Sequence, residues 1–178
     1  MLIMKKIISL LLLTTIIISS CKQEEKKETN DKKETTASVT LPYPILYSSE
    51  FEIGDKKFAK LVLDIWKDYD NNTIKNSAAL FADTTRFYDA SGRMVKGKDS
   101  IISIIDTYRN SIASVKEDVS AIVVLKPKGK DETWVCVWGK EVDAMKDGKK
   151  DSVFLQESWM FNKDEKVANI YQYATKPK

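Results

Sequence analysis

The spacing of apolar residues divides this chain into a helix-rich part and a later strand-rich part, and that division restricts the fold more than any single motif. In the helical stretches between residues 56 and 112 apolar side chains recur every three or four positions; beyond residue 118 they recur every second. Phe58, Leu61, Val62, Ile65, Trp66 and Tyr69 predict a helix opening at Lys56, capped by Asp55 and stopped by Asp70-Asn71-Asn72. A shorter helix carries Ile74, Ala78 and Phe81 on one side. A strand over 84–89, a turn at Ser91-Gly92 and a short return strand over 93–96 follow. Asp99 or Ser100 caps a third helix, whose buried stripe is Ile101, Ile104, Ile105, Tyr108 and Ile112. Four strands come last, over 119–126, 133–144, 152–162 and 167–174, with turns at 127–131, Asp147-Gly148 and 162–165. Helices first and hairpin-linked strands last predict an α+β domain, with the helices packed on one face of an antiparallel sheet. A lipocalin-like barrel would need more strands and fewer early helices.

The sequence ahead of this domain reads as an address. Lys5 and Lys6 precede an apolar run over 7–18, then Ser19, Ser20 and Cys21. That order is the layout of a secretory signal peptide, and the run is shorter than the about 20 residues of a bilayer span. Ile18-Ser19-Ser20-Cys21 resembles a bacterial lipobox. The resemblance implies that residues 1–20 are removed and Cys21 is acylated, for example with palmitate. It places the protein in the bacterial cell envelope, on the outer membrane, held by lipid. Residues 21–52 are expected to be a solvated tether, because 22–40 mix Lys, Glu, Thr and Ser with one Val and no aromatic. The domain is expected over 53–176.

Composition removes whole classes of chemistry. The chain has no histidine, so Ser-His-Asp and Cys-His machinery and His-ligated zinc are excluded. Acid–base work would fall to Asp, Glu, Tyr or Lys. Only Cys21 and Cys136 are present; with Cys21 acylated, Cys136 has no disulfide partner and reads as a buried, inert thiol between Val135 and Val137. Lys and Arg are interleaved with Asp and Glu throughout, which gives no case for nucleic acid. Residues 68–79 briefly suggest a calcium loop, but Thr73 stands where Gly is required and Ala79 where Glu is required. No metal and no cofactor is expected.

Residues 65–102 carry a family pattern. Trp66, the segment Leu80-Phe81-Ala82-Asp83, then Asp89, Gly92, and Gly97 with Ile101 occur in the order found in the nuclear transport factor 2-like superfamily, which this stretch resembles. That superfamily includes SnoaL-type polyketide cyclases and steroid delta-isomerase. The resemblance spans about residues 55–175 and implies a cystatin-like cone, a curved sheet around helices enclosing an apolar pocket. It implies a pocket and leaves the reaction open, because this fold hosts enzymes and binding proteins alike.

The resemblance also nominates residues. Asp89 matches the isomerase general base, a role that burial supports by raising a carboxyl pKa; the competing reading is a turn aspartate before Ser91-Gly92. Glu157 matches the acid that donates to a developing oxyanion, and Leu155, Trp159 and Phe161 share its strand face; the competing reading is a salt bridge to a neighbouring Lys or Arg. The isomerase tyrosine falls near Ile65, so the catalytic set is incomplete unless Tyr69 or Tyr108 replaces it. Trp66, Phe81, Phe87, Tyr108, Trp138, Trp159 and Tyr171 are the expected pocket aromatics, and Trp134, Cys136 and Trp138 share one strand face. The expectation is a lipid-anchored, non-catalytic domain that binds a small apolar ligand or a partner protein. The alternatives are an isomerase or cyclase using Asp89, and a scaffold that forms a homodimer through its sheet.

Overall fold

The computed structural model describes residues 40–177. The signal-peptide and acylation expectations, Cys21 included, lie outside the described residues, as does most of the expected tether. The compact unit is Tyr43–Lys178. Its elements in chain order are β1 (Phe51–Ile53), α1 (Lys57–Asp70), a 3-10 helix (Ile74–Leu80), β2 (Phe81–Tyr88), β3 (Met94–Lys96), α2 (Lys98–Ser111), β4 (Ser114–Pro127), β5 (Thr133–Ala144), β6 (Lys150–Phe161) and β7 (Val167–Thr175).

The seven strands form one sheet in the order β1-β4-β5-β6-β7-β2-β3. All neighbours are antiparallel except β2 and β7, which pair in parallel. The sheet is the expected curved antiparallel one apart from this pair, where the chain lays its earliest long strand beside its last. Helix α1 packs across β4 and β5, and α2 across β2 and the 3-10 helix. An extra residue between Val119 and Ala121 shifts the β4–β5 register and lets the sheet bend around the helices.

Asp55 begins α1 as expected, its Oδ1 accepting the Lys57 backbone N–H at 2.8 Å. The third helix opens differently. Gly97, at φ 96°, precedes Lys98, and no side chain caps the helix, so Asp99 lies in the first turn. Its buried residues are Ile101, Ile102 and Arg109. Tyr108 is 47 % exposed and Ile104 and Ile105 are half-buried, unlike the expected stripe. Arg109 is buried because its Nε and a terminal nitrogen donate to the Tyr69 and Asp70 carbonyls, at 3.0 and 3.1 Å, closing the end of α1.

The domain also starts earlier than expected. Phe51–Ile53 pairs with Leu125–Pro127, Tyr47 hydrogen-bonds Glu132, and the Trp134 indole donates to the Tyr47 hydroxyl at 2.8 Å. Residues 47–52 are therefore part of the fold rather than tether.

The core is graded along the strands. At one end Phe58 meets Phe161 at 5.0 Å between ring centroids, with Val135 and Val167 fully buried beside them. Along the inward face of β5 the residues run Val135, Val137, Gly139, Glu141, Asp143. The face is apolar at the closed end and acidic at the other.

Candidate functional site

A cavity of about 400 Å³ occupies the acidic end of this graded core. Helix α1 supplies Ile65, Trp66 and Tyr69; α2 supplies Ile104, Ile105 and Tyr108. The sheet contributes Phe87 from β2, Glu117 from β4, Glu141 from β5, Val153, Leu155, Glu157 and Trp159 from β6, and Ile170, Gln172 and Ala174 from β7. Asp89 and Arg93 sit at the rim. Ile104 and Ile105 are only half-buried because they face this hollow rather than packed side chains. Such a mostly apolar hollow with a few convergent polar groups is the usual form of a small-molecule site.

Glu157 is 5 % exposed. Its Oε2 accepts both cavity indoles, Trp66 Nε1 at 2.8 Å and Trp159 Nε1 at 2.9 Å. Its Oε1 accepts Gln172 Nε2 at 2.8 Å. The expected salt bridge to a Lys or Arg is absent among the described residues; neutral N–H donors take its place. Burial raises the Glu157 pKa, and the bonds from Gln172, Trp66 and Trp159 pull against that rise. An indole N–H only donates, so Oε2 is committed as an acceptor. That arrangement differs from an acid holding out a proton to an oxyanion.

Gly139 makes the Trp66 position available. A Cβ there would lie 3.0 Å from a Trp66 ring carbon and 3.0 Å from the Asp118 carbonyl oxygen. Only a residue without a side chain lets the indole lie flat on β5 and reach Glu157.

Asp89 lines the rim, but its oxygens are fully engaged. Oδ1 accepts the Ser91 and Arg93 backbone N–H groups at 3.0 and 3.1 Å and the Ser91 hydroxyl at 2.6 Å. Oδ2 accepts Arg93 Nε at 2.9 Å. Burial pushes its pKa up, yet the bonds from Ser91 and Arg93 together bring it below the ordinary value. This is the geometry of a turn aspartate, and it does not supply a base raised toward neutrality.

The residues that sequence reasoning missed form the acidic wall. Glu117 and Glu141 stand directly opposite each other on β4 and β5. Burial, then their mutual repulsion and that of Glu157 and Asp70, holds Glu117 far above the usual carboxylate range. Burial and Asp143 raise Glu141, while its bond with Glu117 lowers it. Asp143, 5 % exposed, accepts the Tyr108 hydroxyl at 2.7 Å on Oδ2. Burial, followed by Glu141 and Asp143, raises Tyr69, and burial with the Asp143 bond raises Tyr108. Among the described residues no three His, Cys, Asp or Glu side chains converge closely enough to hold a metal ion.

Among the expected pocket aromatics, Trp66, Phe87, Tyr108 and Trp159 line the cavity. Phe81 does not; it is buried in the core, its ring 6.3 Å from Trp159. Trp138 and Tyr171 lie on the other side of the sheet. Trp138 has the strand parity opposite to Val137 and is 40 % exposed, and Tyr171 stacks on Tyr88 at 4.8 Å. Cys136 shares that outer face, half-buried, its sulfur 3.6 Å from the Ser158 hydroxyl oxygen, so the thiol is less enclosed than expected.

No protein-family model matches the chain, and no curated protein matches it in sequence. Solved structures do match in fold. A nuclear transport factor 2-like protein with a cystatin-like fold from Novosphingobium aromaticivorans superposes with a TM-score of 0.55 at 13% identity, over 67% of this chain and 80% of its own. A protein named as a scytalone dehydratase from the same organism gives 0.58 at 16% identity, over 66% and 80%. A protein with a ketosteroid isomerase-like fold from Catenulispora acidiphila, in complex with trimethylamine, gives 0.52 at 15% identity, over 67% and 86%. In its fold, this chain is a nuclear transport factor 2-like, cystatin-like α+β cone with a pocket at one end.

Proposed function

We propose that this protein is a lipid-anchored envelope protein whose pocket binds a small molecule without transforming it. The observation that carries the binding part is the cavity of about 400 Å³ between α1, α2 and the curved sheet, walled by Trp66, Phe87 and Trp159. The non-catalytic part is supported by the two nominated carboxylates. Asp89 is fixed in its turn by Ser91 and Arg93, and Glu157 has both oxygens occupied by N–H donors. The anchoring part rests on the order of charge, apolar run, small residues and Cys21. More than one acyl chain makes such an anchor stable.

Native mass spectrometry of the mature protein purified from its own host tests the binding reading. A co-purified molecule of a few hundred daltons, lost from a cavity-filling Leu155→Trp variant, is the expected result. A protein that carries nothing, and whose melting is unchanged by any member of a small-molecule panel, contradicts it. Fractionation tests the anchor: Cys21→Ala releases the protein from the membrane, and retention would remove that part of the proposal.

A homodimeric scaffold is favoured by a separate observation. The outer sheet face exposes Trp138, Phe154 and Tyr173, at 40%, 49% and 60%. Aromatics at that exposure on one face suit a paired surface.

A further inference from the structure

We infer that the ligand of this cavity is an organic cation, a molecule with an apolar body and an ammonium-type head. The inference rests on the small-molecule reading above and names its chemical class. Three carboxylate oxygens are buried without any hydrogen-bond partner, Asp70 Oδ1, Glu117 Oε2 and Asp143 Oδ1, and of these residues Glu117 lines the cavity. Glu117 is the one that bears on a ligand: it stands opposite Glu141 on the cavity wall. Asp143, 5 % exposed, shares the inward face of β5 with Glu141, and the Tyr108 hydroxyl on the cavity wall holds its other oxygen. A buried carboxylate oxygen without a partner is costly, and such groups persist where something else supplies the missing contact.

The protein's own cations do not supply it. Arg93 is held by Asp89 at the rim. Arg109 spends its bonds on the Tyr69 and Asp70 carbonyls and, with Lys67, offsets Asp70. Lys176 pairs with Asp151 in solvent, at 2.8 Å. Among the described residues no Lys or Arg forms a salt bridge with Glu117, Glu141, Asp143 or Glu157. A bare metal ion does not fit, because no three of these groups converge on a point. The cavity is also far larger than an ion, and its other walls are the faces of Trp66, Tyr69, Phe87 and Trp159. Aromatic faces attract quaternary and protonated amines, most strongly once water is excluded. A neutral hydrocarbon leaves the buried Glu117 oxygen unanswered, whereas a cation favours the ionised form of the acidic wall.

The experiment is calorimetric titration of the detergent-solubilised full chain with benzyltrimethylammonium and with its neutral isostere neopentylbenzene. The cation is expected to bind at least tenfold more tightly. Glu117→Gln and Glu141→Gln, each checked for native circular dichroism, are expected to weaken the cation about tenfold and leave the neutral compound unchanged. The second variant serves if the first does not fold. Equal or tighter binding of neopentylbenzene, or a cation affinity untouched by both substitutions, overturns the inference while leaving the pocket reading intact. Binding of neither compound overturns both.

Discussion

Replacing Glu157 tests whether the two cavity indoles are held in place by a buried acceptor. Glu157 receives Trp66 and Trp159 at 2.8 and 2.9 Å on one oxygen and Gln172 at 2.8 Å on the other. Glu157→Leu keeps the volume and removes every acceptor. Gln172 is half-buried and can turn to solvent, so the loss falls on two indole N–H groups. Each buried donor left without a partner costs about 1–3 kcal/mol, or about 4 kcal/mol for two. Relief from burying a carboxylate offsets part of that, leaving a net loss of about 3 kcal/mol. For a domain of this size the melting temperature falls by roughly 10 °C. Glu157→Gln retains one carbonyl oxygen for both indoles, and the Gln172 amide turns over to face the new NH2, so the cost is about 1 kcal/mol or less. Urea unfolding followed by far-ultraviolet circular dichroism gives both values. A Glu157→Leu protein as stable as the parent would refute the reasoning, because the indoles would then have no need of this acceptor.

The acidic wall makes stability depend on pH in a defined direction. Glu117 and Glu141 have raised pKa values in the folded state, so above their ordinary value of 4.5 the native protein binds more protons than the unfolded chain, and stability falls as pH rises. Unfolding free energy at pH 8.5 is expected to lie below that at pH 5.5, with Glu117→Gln removing most of the decline; a flat or rising profile contradicts this. Asp83, Asp89, Asp147 and Asp151 are shifted down, so their contributions are lost only below their ordinary value of 3.8, outside that window. Gly139→Ala pushes Trp66 off β5 and costs about 1–3 kcal/mol, with a changed near-ultraviolet spectrum; an unchanged spectrum and melting point would show that the close approach is not required. If the outer face joins two copies, Trp138→Ser with Tyr173→Ser converts a dimer to a monomer in light scattering and leaves ligand binding unchanged. A parent protein that is monomeric at high concentration removes the scaffold reading.

Much of the architecture is legible in local periodicity. Phe58, Val62, Ile65 and Trp66 are spaced for a helix face and are buried on one, and the alternation over 133–144 coincides with β5. The parallel β2–β7 pairing is not legible, because it joins strands far apart in sequence. The first part of β4, Ser114 to Asp118, is too polar to stand out as a strand. The acidic wall had a signal that larger residues concealed. Glu141 and Asp143 have the same strand parity as Val135 and Val137, which are fully buried. Weight placed on Trp134 and Trp138 assigned the inward face to the wrong parity, although β-branched valines fill a curved sheet's inner surface more closely than indoles do. Burial of the acids is a tertiary effect: α2 brings Tyr108 over Asp143, and no local pattern announces that contact.

The indole N–H resonances report most directly on where a guest sits. The chain has four tryptophans, two facing the cavity (Trp66 and Trp159) and two on the outer half of the sheet (Trp134 and Trp138). In a nitrogen–proton correlation spectrum titrated with benzyltrimethylammonium, the Trp66 and Trp159 signals are expected to move and saturate together while those of Trp134 and Trp138 stay fixed. Movement confined to Trp134 or Trp138, or no movement at millimolar concentrations, would contradict a binding site inside the cone.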